Sequence, residues 1–131
     1  MPQPKRVVFI LKRMWNYCSI CMDYAHTDEG DVCPSCGSVL ERHDLYHDIK
    51  TGLKRVEYRE AKPYWTDRLF KEDKNGVLRV KVNRAWFVVG MPKDFLPRLE
   101  ADIVSVAALT DEEGCAETYA ITFKNVQEIT A

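Results

Sequence analysis

No run in this chain approaches the roughly 18–20 uninterrupted apolar residues of a membrane span, which excludes a membrane-spanning helix. The apolar run Val7 to Leu11, set among the basic residues of Met1 to Arg13, is too short for a secretory core. That absence leads to the expectation of a cytosolic protein, in the host cytoplasm for a viral gene. There is no internal repeat and no low-complexity tract, and 46% apolar residues excludes wholesale disorder. Net charge is lacking too. The 19 Lys+Arg nearly cancel 20 Asp+Glu to give −1, a balance that taken whole argues against a polyanionic partner. What remains is a length of 131 residues, room for one domain with a small appended module.

The charge is unevenly placed. Residues 1–49 carry a balance of −2, residues 50–93 of +7, and residues 94–131 of −6. A basic centre between acidic ends can present one positive surface to a polyanion. Scattered solvated side chains whose fields cancel are the plainer alternative.

Four of the five cysteines are grouped as Cys18-Ser19-Ile20-Cys21 and Cys33-Pro34-Ser35-Cys36-Gly37. Two Cys-x2-Cys turns supply four thiolates, a complete tetrahedral shell with sulfur–metal distances of about 2.3 Å. Pro34 stiffens the second turn and Gly37 permits a left-handed backbone. Four sulfurs leave no open coordination position, so the expectation is one structural Zn2+ rather than a catalytic metal. Disulfides are disfavoured in a reducing compartment. Rubredoxin-type iron uses similar turns, but Met22 stands where the first pair would be followed by glycine. His26, His43 and His47 are spare once four cysteines complete the set, and read as surface or capping residues. Cys115 lies in an acidic turn with no basic neighbour to activate its thiol.

The remainder reads as mainly β. Val7 to Leu11 suits a buried strand, Val39 to Thr51 a helix stopped by Gly52, and Leu53 to Arg59 a strand. Asn75-Gly76 marks a turn before a strand with Leu78, Val80 and Val82 on one face. Ala85 to Val89, Ile103 to Leu109 and Tyr119 to Phe123 are further strands, with Trp86 expected in the core. Pro63 opens a short helix to Phe70, and Pro92 and Pro97 bracket an irregular piece. The fold class expected is α+β, mainly β: a small, partly closed β-barrel with one or two helices. The cysteine segment is too small to hold a core alone, so its metal should supply much of its folding energy.

Gly52-Leu53-Lys54-Arg55-Val56-Glu57-Tyr58-Arg59 reads Gly-x-Lys-x-x-Glu-x-Arg, and resembles the signature of the ASCH domain, a member of the PUA-like superfamily. The resemblance extends to the first strand with Lys12 near its end, the helix before the motif, and Lys62-Pro63-Tyr64-Trp65 after it. It implies an ASCH-like barrel formed by residues 1–14 and 42–131. Residues 15–41, with the four cysteines, are an inserted zinc ribbon that departs from the family pattern. It further implies a cleft that binds RNA or nucleotides.

Along a strand Arg55, Glu57 and Arg59 project to one side, and Val56 and Tyr58 to the other, where they can pack in the barrel. Glu57 between two arginines can orient their guanidinium forks toward phosphate or base edges, with Lys54 a mobile positive point beside the turn. Lys12, Lys54, Arg55, Glu57, Arg59 and Trp65 are thus the candidate nucleic-acid contacts. Trp65, Tyr64 and Trp86 are potential stacking surfaces. A solvated ion-pair row with the aromatics in the core is the structural alternative.

Two rivals stand beside RNA or nucleotide binding. In the first, Lys54 and Glu57 are catalytic in a hydrolase of RNA or of a modified nucleoside, as in the amidohydrolases and ribonucleases among ASCH-like proteins. The amidohydrolase pattern places a threonine nucleophile where this chain has Glu57, and a carboxylate cannot serve in that way. In the second, the zinc insertion is an adaptor for a protein partner.

Overall fold

The computed structural model describes residues 5–25 and 28–131. His26, considered above as a spare ligand, lies outside the described residues. In chain order the strands and helices are β1 (Arg6–Leu11), β2 (Met14–Cys18), β3 (Asp23–Tyr24), β4 (Glu41–Asp44), α1 (Leu45–Thr51), β5 (Val56–Glu60) and α2 (Pro63–Leu69). There follow β6 (Phe70–Glu72), β7 (Leu78–Val80), β8 (Arg84–Val89), β9 (Arg98–Thr110) and β10 (Ala116–Ile129). The chain is mainly β, as expected, and its central sheet curls into a half-barrel.

That sheet has the order β1-β8-β9-β10-β5, parallel between β1 and β8 and antiparallel elsewhere. Alternation aims Val7, Phe9 and Leu11 of β1 inward, with Phe87 of β8, Leu99 and Ala101 of β9, and Tyr119, Ile121 and Phe123 of β10. Ile49 and Tyr46 of α1 and Leu69 of α2 complete the core. Each fully buried large side chain here, such as Phe9 or Ile121, contributes about 1.5–3 kcal/mol by leaving water. Register shifts between β9 and β10 add the local twist that bends the long ribbon. Among the described residues no helix is long and apolar enough to cross a membrane.

The two edges of the curl, β1 and β5, share no backbone ladder. Arg59 of β5 spans the gap, donating from Nη2 to the Ile10 carbonyl of β1 at 3.4 Å. This open seam positions the candidate site.

A second sheet, β3-β2-β4, carries the cysteine segment. Its pairing corrects one expectation. Glu41–Asp44 pairs with Met14–Tyr17 as a strand, so the helix begins only at Leu45. Asp44 is its N-cap, accepting from the His47 amide at 3.1 Å, and Gly52 ends it in the left-handed conformation. A second correction concerns β7. Among the described residues it pairs only with β6, in a two-stranded hairpin separate from the central sheet, so Leu78 and Val80 are exposed while Val82 is buried.

Candidate functional site

The four cysteines converge. All four Sγ atoms lie within 4.8 Å of one another, with Cys18–Cys36 at 3.5 Å and Cys21–Cys33 at 3.9 Å. A tetrahedral shell with sulfur–metal distances of about 2.3 Å puts its sulfurs about 3.8 Å apart, so these spacings fit one ion. Local backbone explains the convergence. The Cys21 amide donates to Cys18 Sγ at 3.3 Å, and the Gly37 amide to the Cys33 carbonyl at 2.8 Å. Gly37 takes its left-handed conformation at φ 76°, and Met22 takes the equivalent one at φ 54° in the first turn. The absent glycine therefore does not prevent the turn.

Hydrogen bonding with the Ser38 side chain and amide pushes the Cys36 thiol down to about 6. Hydrogen bonding with Cys36, Cys18 and Cys33 raises Cys21 to about 12. The cluster thus holds protons unequally, and a bound cation displaces them. Cys18 and Cys33 are buried, Cys21 and Cys36 exposed, so the cluster sits at the surface. Cys115 is exposed in the β9–β10 turn, apart from it.

A polar junction ties this segment to α1. Buried Asp48 accepts from the Tyr24 hydroxyl at 2.6 Å, and its Oδ2 lies 2.7 Å from Nδ1 of His43. His43 Nε2 lies 3.0 Å from Glu41, and Tyr17 stacks on the imidazole. Burial opposes protonation of His43, but its bonds to Glu41 and Asp48 prevail and raise its pKa. His43 is therefore a half-buried structural link, and His47 lends its amide to a cap.

At the seam a cleft of about 570 Å³ opens, lined by Trp15, Tyr24, Lys54, Glu57, Tyr58 and Arg59, among others. Lys54 is fixed by a 2.6 Å bond from Nζ to the Val56 carbonyl, and lies 3.4 Å from Glu57 Oε1. Its Nζ sits 5.3 Å from the Tyr24 ring centre and 5.9 Å from that of Tyr58, within cation–π reach. Arg59 lies 3.6 Å from Glu57 Oε2. Phe9 and Trp65 hold its guanidinium, with ring centres 5.2 and 5.1 Å away. Glu57 Oε2 and Arg59 Nε are buried with no hydrogen-bond partner among the described residues.

The β5 side chains reverse the expected faces. Glu57 is buried at 8% exposure and Tyr58 is 52% exposed, so Glu57 points into the curl while Tyr58 stands at the open mouth of the cleft. The cause is that Glu57 has Lys54 and Arg59 as internal partners, which offsets its desolvation. Lys54 is accordingly buried rather than mobile. Arg55 does not flank Glu57; its Nε donates to the Gly52 carbonyl at 3.1 Å, away from the cleft. Lys12 is at the rim, paired with Asp28 at 2.8 Å. Trp65 stacks on Phe9 behind Arg59 rather than lining the cleft, and exposed Tyr64 is covered by Arg68. Trp86 is not core: it lies half-buried between the guanidiniums of Arg6 and Arg98, 3.9 and 3.8 Å from its ring. Sequence reasoning missed Trp15, Tyr24 and Tyr58 as cleft walls. The first two lie in the cysteine segment, with no local signal linking them to the motif.

Comparison with family models, with curated proteins and with solved structures finds no match to this chain.

Proposed function

We propose that this chain is an ASCH-like domain, stapled by one structural Zn2+, that binds a nucleotide unit in the seam cleft. The unit is a free nucleotide or a splayed base of single-stranded RNA. The observation that carries this reading is the convergence of Lys54, Glu57 and Arg59 in a cleft with aromatic walls. Its volume falls in the range of about 300–1,000 Å³ common to small-molecule sites. Glu57 Oε2 and Arg59 Nε, buried beside the cleft, leave an acceptor and a donor unsatisfied, and a nucleobase edge carries the complement of both once side-chain movement opens them to the cleft. Tyr24 and Tyr58 offer ring surface for stacking. Four thiolates in this geometry suit Zn2+ or a single iron, and Zn2+ is the ion of this proposal.

Calorimetric titration with the four nucleoside monophosphates and a single-stranded RNA decamer at low salt tests the reading. Binding by the wild type that falls at least about tenfold in Arg59→Ala, the cost of a lost charge-assisted bond, supports it. No binding of any of these ligands overturns it.

A hydrolytic reading is favoured by one observation, the enclosed Lys54–Glu57 pair, a positioned carboxylate and ammonium in a cleft. Turnover of acylated nucleosides or of RNA that disappears in Glu57→Gln would establish it over simple binding.

A further inference from the structure

The three cations that line the seam cleft are each engaged in an ion pair within the fold. Lys54 and Arg59 share Glu57, and Lys12 is paired with Asp28. A second concavity, of about 800 Å³, lies where the β6–β7 hairpin meets the start of β1. Five cations line it, Lys5, Lys71, Lys74, Arg79 and Lys81, against two acids, Glu72 and Asp73, a balance of +3. Among the described residues Lys5, Lys71, Lys74 and Lys81 form no ion pair, and only Arg79 is bound, to Asp73 at 2.9 Å. The hairpin register also sets Lys71 directly opposite Arg79. Like charges across a strand pair repel; Asp73 offsets Arg79, and an anion beside Lys71 relieves what remains of that cost.

From these observations we infer that the hairpin groove is a binding site for the phosphate backbone of single-stranded nucleic acid. The geometry also separates it from the seam cleft. Lys5 lines the groove and Ile10 lines the cleft, five residues apart on one extended segment, or about 17 Å. A mononucleotide cannot occupy both, whereas a strand of several nucleotides can. Backbone contacts position a chain and base contacts select it, and the two concavities divide in that way. The groove inference stands on its own cations. Its link to the cleft rests on the function proposed above.

The test uses the full chain, a fluorescein-labelled single-stranded RNA decamer and the unlabelled nucleoside monophosphates. The variants are Lys71→Gln/Lys74→Gln/Lys81→Gln, its three single substitutions, and Arg59→Ala. Each altered lysine is exposed, and a circular dichroism spectrum matching the wild type verifies folding. The triple variant should bind the decamer at least tenfold more weakly at 50 mM salt. Its log–log salt slope should be shallower by about 2, since each phosphate contact on a single strand contributes about 0.7. Mononucleotide affinity should be unchanged in the triple variant and reduced in Arg59→Ala. Decamer affinity and salt slope unchanged in the triple variant overturn the groove. Decamer binding that depends on the hairpin, with no mononucleotide binding at all, upholds the groove while removing the cleft.

Discussion

Lys54 Nζ lies 3.4 Å from Glu57 Oε1, and each residue is only 8% exposed. A buried carboxylate flanked by one ammonium and one guanidinium is tolerable only while the set is whole. Lys54→Met should therefore cost about 3 kcal/mol in denaturant unfolding, because Glu57 keeps its desolvation and loses a partner. Lys54→Met/Glu57→Met should cost less than the sum of the two single changes. Additive costs would show that the two side chains are not energetically coupled.

Metal content follows from the cysteine cluster. The purified chain should carry one zinc per molecule, and Cys33→Ser should lose it. Chelation should expose the amides of β2 to β4 to hydrogen exchange while β8 to β10 stay protected, since the segment has little apolar core of its own. Equal loss of protection in both regions would mean that the half-barrel depends on the ion as well.

Met22 adopts a left-handed backbone conformation that costs a non-glycine residue about 1 kcal/mol or more. Its side chain is 75% exposed and packs little, so Met22→Gly should leave zinc stoichiometry intact and raise resistance to chelation. A reduced resistance would assign the exposed methionine a packing role.

The His43 junction gives a pH dependence. The folded pKa of His43 is raised above its unfolded value by Glu41 and Asp48, against the effect of burial. Its contribution is therefore complete below the unfolded pKa, near 6.5, and is lost as pH rises through the folded value. His43→Gln should be more destabilising at pH 6 than at pH 9 by thermal unfolding. The opposite ordering would mean that the imidazole is neutral in the fold.

The strands of the central sheet were legible because apolar alternation is local: Val7 to Leu11, Ala85 to Val89 and Tyr119 to Phe123 lie within observed strands. The convergence of the four cysteines was legible for the same reason, since two Cys-x2-Cys turns state their own geometry. The facing of β5 was not. Strand alternation leaves open which side is inward, and a general preference for burying Tyr58 over Glu57 was overridden by Lys54 and Arg59 acting as partners. Nor could periodicity show that Leu78 and Val80 belong to a hairpin away from the core, or that Glu41–Asp44 would be claimed by β2. Those outcomes depend on contacts between segments distant in sequence. The charge balance behaves likewise: segmental counting located the basic centre, but only pairing distinguishes the paired cations of the cleft from the hairpin lysines, which form no ion pair among the described residues.

The most direct test of the proposed function is a residue-resolved NMR titration of the zinc-loaded chain with nucleoside monophosphates. Saturable shifts centred on Tyr24, Lys54, Glu57, Tyr58 and Arg59 are the predicted result. Shifts confined to other surfaces, or none at millimolar nucleotide, would contradict it.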